Sequence, residues 1–323
     1  MGEPMIKRVP MSGPLSGKVA IVTGAGRGIG REEALYLSAL GARLVINDLG
    51  TARDGSGVDA GVAEQLVSEI QGRGGEAIAH VEDISEPAGA ESLLRLGIET
   101  WGHIDIVVNN AGILRDRMIF KMSIEEWDSV IKVHLRGHFL VTREACIHWR
   151  ERAAASGQIR GRLINTTSTS GILGNPGQSN YGAAKAGIAA LTQIVSLEMA
   201  RYGVTANAIA PGARTRMTEG VFVETPDQEG ASDPVGPEHV ARLVGYLASD
   251  ASDHISGQVF RVRGGTIELY EGWRAVAAIE DASGWSAAGL AGAMSGLFGI
   301  RPSVYTPATV PGQVGTIQPQ ASG

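Results

Sequence analysis

Cysteine, phenylalanine and lysine are scarce in this 323-residue chain: one Cys, five Phe and five Lys, against 23 Arg. The lone Cys146 rules out an intrachain disulfide. Aromatic residues are only 5% of the chain while glycines number 45, a composition that leans towards many tight strand-to-helix turns rather than an aromatic-rich sandwich. No run approaches the ~18–20 apolar residues that span a bilayer. The start, MGEPMIKRVPMSG, carries no apolar stretch of the secretory-signal kind. Positive charge is not in excess either: the formal net charge is -6, which argues against a nucleic-acid-binding surface. These absences predict a cytoplasmic globular protein with no membrane span, no nucleic-acid partner and small molecules as ligands. At 43% hydrophobic, the chain can bury a full core.

Short β-branched runs alternate with helix-length segments. The runs are VAIVT (19–23), ARLVIND (42–48), EAIAHV (76–81), IDIVVNN (104–110), RLINTTS (162–168), VTANAIA (204–210) and QVFRV (258–262). A βαβα order of this kind predicts an α/β fold, a doubly wound parallel sheet with helices on both faces in three layers. Residues 1–13 read as a flexible polar lead-in and 14–274 as a single domain. Residues 275–323, Ala/Gly-rich and then Pro/Thr/Gln-rich, read as an extension, partly disordered or docked on a neighbouring subunit.

Between the first strand and the first helix lies GAGRGIG, with Gly24, Gly26, Arg27, Gly28, Ile29 and Gly30. Missing side chains let backbone approach a pyrophosphate, and the following helix offers free N–H groups at its positive end. Asp48 ends the second run, where a carboxylate accepts both hydroxyls of an adenosine ribose and repels a 2′-phosphate. That selects NAD over NADP, although Arg27 pulls the other way. Asp83, followed by Ile84, is a candidate adenine contact, and equally a cap for the next helix.

The last lysine of the chain, Lys185, lies one helical turn after Tyr181, and Ser168 lies 13 residues before that tyrosine. A phenol with its ordinary pKa of about 10 is a poor base at neutral pH. An ammonium about 5 Å away, at an effective dielectric near 20, favours phenolate by roughly 3 kcal/mol, about two pKa units. Desolvation opposes that shift. Lysine suits the position better than arginine because its compact three-donor head also bonds ribose hydroxyls.

TGAGRGIG, NNAG (109–112), Ser168, YGAAK and PGARTRM (211–217), in this order and spacing, resemble the short-chain dehydrogenase/reductase family over residues 14–270. The resemblance implies a Rossmann fold in a homotetramer or homodimer, with hydride passing between nicotinamide and a carbonyl or secondary alcohol. It implies Tyr181 as general acid/base, Ser168 as hydrogen-bond partner of the substrate oxygen, and Lys185 as pKa tuner and ribose anchor. Asn110, Ala111 and Gly112 would line the adenine side of the cleft. Pro211, Gly212 and Thr215 would meet the cofactor further along.

One position departs from the pattern. Many members carry asparagine in a V-N-L-x-G-x-F setting, holding a water of the proton relay; here VHLRGHF puts His134 there. An imidazole offers two nitrogens to a relay, but protonation near pH 6–7 would compete with that task. His134 and His138 stand at i,i+4, a spacing that binds metals, yet no carboxylate or cysteine companion is evident and no metal is expected.

NDLG with its following insertion, VHLRG and QVFRVRGGTIELY resemble the branch that contains (3R)-hydroxyacyl-CoA dehydrogenase units of multifunctional enzymes. This implies an NAD-dependent oxidation of (3R)-3-hydroxyacyl-CoA. A 17β-hydroxysteroid dehydrogenase, a 3-oxoacyl-thioester reductase and, more distantly, a non-catalytic NAD-binding regulator stay open. Residues 214–234 read as a flap over the substrate, and Arg115, Arg117, Arg214 and Arg216 are candidate contacts for CoA phosphates.

Overall fold

The computed structural model describes residues 13–215 and 233–298. The lead-in, Arg216 with most of the expected flap, and the end of the tail lie outside them. Two units divide at Tyr270, one spanning residues 1–270 and the other 271–323.

The first unit is built on one eight-stranded sheet in the order β3-β2-β1-β4-β5-β6-β7-β8. Seven strands run parallel: β1 Val19–Thr23, β2 Arg43–Asn47, β3 Ala77–His80, β4 Ile106–Asn109, β5 Gly161–Thr166, β6 Val204–Pro211 and β7 Val259–Arg263. All five β1 side chains are buried, because the sheet is covered on both faces. Ala20 and Val22 enter one core with helices α1 (Gly28–Ala39), α2 (Gly61–Gly72) and α8 (Glu238–Ala248). Val19 and Ile21 enter a second core with α3 (Pro87–Trp101), α5 (Gly137–Ser156) and α7 (Ser179–Met199).

Three details differ from the sequence reading. β2 ends at Asn47, so Asp48 stands just past the sheet, and β5 ends at Thr166, so Ser168 instead caps the short helix α6 (Thr169–Leu173). An eighth strand, β8 (Thr266–Tyr270), folds back antiparallel on β7 through Gly264-Gly265. Gly264 takes φ +53° at the first central position of that two-residue turn, a conformation that favours glycine.

The sheet order places β1 beside β4, so the segments that follow these two strands leave in opposite directions. A crevice opens at this switch point. Helix α4 (Ile124–Ile131), closed at its start by a Ser123–Glu126 capping box, runs into a π-helical turn, Lys132–Arg136, before α5. That turn carries His134.

Candidate active site

The crevice holds a cavity of about 350 Å³. Gly24, Arg27, Gly28, Ile29, Asp48, Asp83, Ile84, Asn110, Ala111, Gly112 and Thr215 all stand on its wall, as the sequence reading placed them around one cofactor. Gly30 sits behind the wall, where a Cβ would come within 2.4 Å of Asn110 Nδ2. Pro211 ends β6 and Gly212 follows it, both away from the lining, with Gly212 N–H donating to Val262 O at 2.7 Å.

The loop fits a dinucleotide. Gly24 has φ +61°, and a Cβ there would lie 2.6 Å from the Ala111 backbone. Nothing can therefore be added between β1 and β4. Helix α1 begins with no side-chain cap and no acidic residue in its first turn, which leaves its N–H groups and positive end to an anionic diphosphate. Asp48 accepts N–H bonds from Gly26 (2.7 Å) and Gly50 (2.6 Å), one on each oxygen. Each oxygen keeps acceptor capacity for ribose hydroxyls.

Asp83 does not cap α3, whose N-cap is Glu86 with no side-chain cap bond. It lines the cavity and also accepts from Ser85 N (2.8 Å) and Ser85 Oγ (2.6 Å) in the turn before α3. Asn110 directs its amide to Thr23 O (3.1 Å) and Gly24 O (2.9 Å), bracing the glycine loop.

The catalytic candidates gather on the other side of β4. Ser168 Oγ accepts from Ser170 N at 3.1 Å, and the Ser168 side chain stands near enough to Tyr181 to act on its phenol. Lys185 is buried, donates to Thr166 O at 2.5 Å, and holds its Nζ 5.6 Å from the Tyr181 ring centroid. Helix α6 can lie this close because residue 171 is glycine: a Cβ would meet Ala186 N at 2.5 Å.

The expected downward pull on the tyrosine is not what this arrangement produces. Burial raises Tyr181 above its ordinary value, and the Ser168 side chain offsets only part of the rise. Burial also brings Lys185 down to about 7, so at neutral pH its charge is present only part of the time. The simple ammonium argument assumed a full charge, and desolvation leaves only part of it.

His134 is 1% exposed and packs edge-on against Tyr181, ring centroids 5.1 Å apart at 84°. Its Nε2 lies 3.0 Å from Ile113 N and 2.8 Å from Ile113 O. One nitrogen cannot accept from the amide and donate to the carbonyl at once, so the tautomer decides which bond is made. Nδ1 has no partner. Burial and the neighbouring Lys185 hold the ring down at about 3, so the competing protonation expected near neutral pH does not arise. The ring also explains Gly112, where a Cβ would come within 2.2 Å of His134 Cε1. His138 is fully buried, and burial drives it well below the ordinary imidazole range. Among the described residues no group of three His, Cys, Asp or Glu could hold a metal ion.

Sequence reasoning missed the insertion after Asp48 as part of the cavity: Thr51, Ala52, Arg53 and Gly55 line it, with Lys132 facing them from the π-helical turn. The signal was there in the closely spaced glycines 50, 55 and 57, all at positive φ.

Residues 18–225 match the family model for short chain dehydrogenases, and the chain belongs to that family. It is an oxidoreductase acting on CH–OH donors. Among its relatives, hydroxyacyl-CoA dehydrogenase ChsB1 of Mycobacterium tuberculosis is 52% identical over 79% of this chain and 80% of that protein. Peroxisomal multifunctional enzyme type 2 of Mus musculus is 41% identical over 81% of this chain and 33% of that larger protein. The crystal structure of a short chain dehydrogenase from Mycobacterium avium superposes with a TM-score of 0.81 at 46% identity, covering 92% of this chain and 98% of that one.

Proposed function

We propose that this protein oxidises the secondary alcohol of a (3R)-3-hydroxyacyl-CoA to the 3-oxo thioester, with NAD as hydride acceptor. The observation that carries the chemistry is the Ser168–Tyr181–Lys185 cluster beside a glycine-walled cavity with Asp48 on its rim. The hydroxyacyl-CoA dehydrogenase name of the Mycobacterium tuberculosis relative supports the thioester.

In this reading the Ser168 hydroxyl donates to the substrate oxygen and fixes it against Tyr181. Tyr181 takes the alcohol proton, and Lys185, which lies beside its ring and would hold the nicotinamide ribose, takes up the excess proton. A lysine held at about 7 both accepts and releases a proton near neutrality. Bound NAD supplies the electron-pair acceptor. Asp48 would hold the adenosine ribose, the α1 N-terminus the diphosphate, and Asp83 and Ile84 the adenine. His134 fixes the Ile113 backbone and the edge of Tyr181.

Helices α5 and α7 leave Phe139, Ile194 and Leu197 exposed, the last at 81%. Their apolar exposure supports assembly as a homotetramer or homodimer. The cytoplasm is the proposed setting; no described helix is long and apolar enough to cross a membrane.

The test is NADH formation by purified protein, offered NAD or NADP with (3R)-3-hydroxyacyl-CoAs and, in parallel, with 17β-hydroxysteroids. Turnover of the thioester with NAD is expected. Turnover of the steroid alone would overturn the substrate, and an NADP preference would overturn the role of Asp48.

A further inference from the structure

Residues 49–59 form a closed loop. Asp59 N–H donates to Leu49 O at 2.9 Å across its base, where Gly50, at φ +69°, allows an approach that a Cβ would block at 2.0 Å from Asp59 O. Its tip is also ordered from within, by Ala52 N–H to Ser56 O at 2.8 Å and by Ser56 Oγ to Asp54 Oδ1 at 2.7 Å.

The tip is fastened to a three-residue strap, Ile113–Arg115. Leu114 N–H donates to Arg53 O at 2.9 Å, and Arg115 Nε donates to Asp54 O at 2.9 Å. Gly55 lies on the Ile113 side chain, so close that a Cβ would stand 3.1 Å from Cδ1. The other side of the strap is held by the catalytic layer. His134 Nε2 bonds Ile113, and Asn180 Nδ2 donates to Arg115 O at 3.0 Å while Asn180 Oδ1 accepts from the N–H of Tyr181 at 2.7 Å.

We infer that this loop is the outer wall of the dinucleotide site, and that Arg115 is a positioning residue which holds it shut and sets how long the cofactor stays. The inference rests on reading the cavity as the dinucleotide site. Arg115 acts here through the backbone of Asp54. The strap is common to both sites, so a loop that loosens moves the support of His134 and Tyr181 as well.

The experiment is stopped-flow NADH release from the full chain, followed by nicotinamide fluorescence, together with amide hydrogen exchange over residues 50–58 in the protein without cofactor. Two variants act independently. Arg115→Met removes the donor, and Gly55→Val forces the loop off Ile113 while leaving the guanidinium in place. Both are expected to release NADH about 3- to 10-fold faster, as loss of one or two hydrogen bonds implies, and to exchange faster in the loop. Wild-type protein that fails to bind NADH would overturn the cavity assignment itself. Wild-type binding with unchanged release and exchange in Arg115→Met would overturn the latch alone. Acceleration in Arg115→Met but not in Gly55→Val would also overturn it, because charge rather than loop position would then be holding the cofactor.

Discussion

The two sides of the crevice are finished differently. On the adenosine side, polar side chains have their partners: Asn47 Nδ2 meets His80 Nδ1 (3.0 Å) and Glu82 O (3.1 Å), Asp48 takes two backbone amides, and Asn110 braces the glycine loop. On the catalytic side, Asn109 Oδ1, His134 Nδ1 and Thr166 Oγ1 are buried without a partner, and Tyr181, Lys185 and His134 are all displaced from their ordinary pKa values. An unmet buried polar atom costs about 1–3 kcal/mol. Under the proposed function, the contrast would separate a surface that holds a ligand from one kept polar for proton transfer, the kind of place where displaced pKa values gather.

The largest test of that contrast is Tyr181→Phe. Turnover should fall by about 10²- to 10⁴-fold, the usual worth of a general acid/base, with NADH affinity nearly unchanged. A rate within a few-fold of wild type would dissolve the catalytic side as defined.

Next comes a buried carboxyl that is not part of the crevice wall. Glu33, in α1, is fully buried with both oxygens unpartnered, and burial raises its pKa from 4.5 to about 8. The folded state therefore holds this proton more tightly than the unfolded chain. Stability should fall as pH rises from about 4.5 to about 8, by a few kcal/mol at most. Glu33→Gln should abolish that slope in urea denaturation at several pH values. A slope equal to wild type would show that Glu33 is not its source.

Asp48→Ala should weaken NAD relative to NADP by about tenfold or more, the scale of one charge-assisted hydrogen bond. The ratio of kcat/KM for the two cofactors reads it, and an unchanged ratio would move ribose selection elsewhere. The smallest effect is expected of His134→Asn. An amide carries donor and acceptor on separate atoms and can serve both groups of Ile113, so kcat should stay within about tenfold. Because the ring is held at about 3, the wild-type pH profile should contain no His134 step near neutrality. Complete loss of activity would give the imidazole a task of its own.

Much of the fold was written in local pattern. The seven parallel strands lie within one or two residues of the β-branched runs, since a strand buried on both faces must be apolar along its length. GAGRGIG, Ser168, Tyr181 and Lys185 were legible because their spacing is itself the geometry. β8 was passed over although Gly264-Gly265 marks its turn, because TIELY is short and half exposed. The pKa of Tyr181, the neutrality of His134 and the isolation of Glu33 were not legible. Each depends on how much water neighbouring elements exclude, and one residue's surroundings come from strands and helices far away in the chain. The link between Arg115 and residue 54 is of the same kind: two loops noticed separately meet only in three dimensions.

The placement of β1 beside β4 also bears on how the chain comes off the ribosome. Val19 N–H bonds Asp105 Oδ2, and Asp105 N–H bonds Val19 O, both at 2.9 Å. Until β4 has been synthesised, one edge of VAIVT stays open, a β-branched, uncharged row of the kind that pairs with other chains. Nascent chains that stop short of residue 106 should therefore depend on chaperones and aggregate without them, and the step that caps this edge is the same one that creates the cofactor crevice.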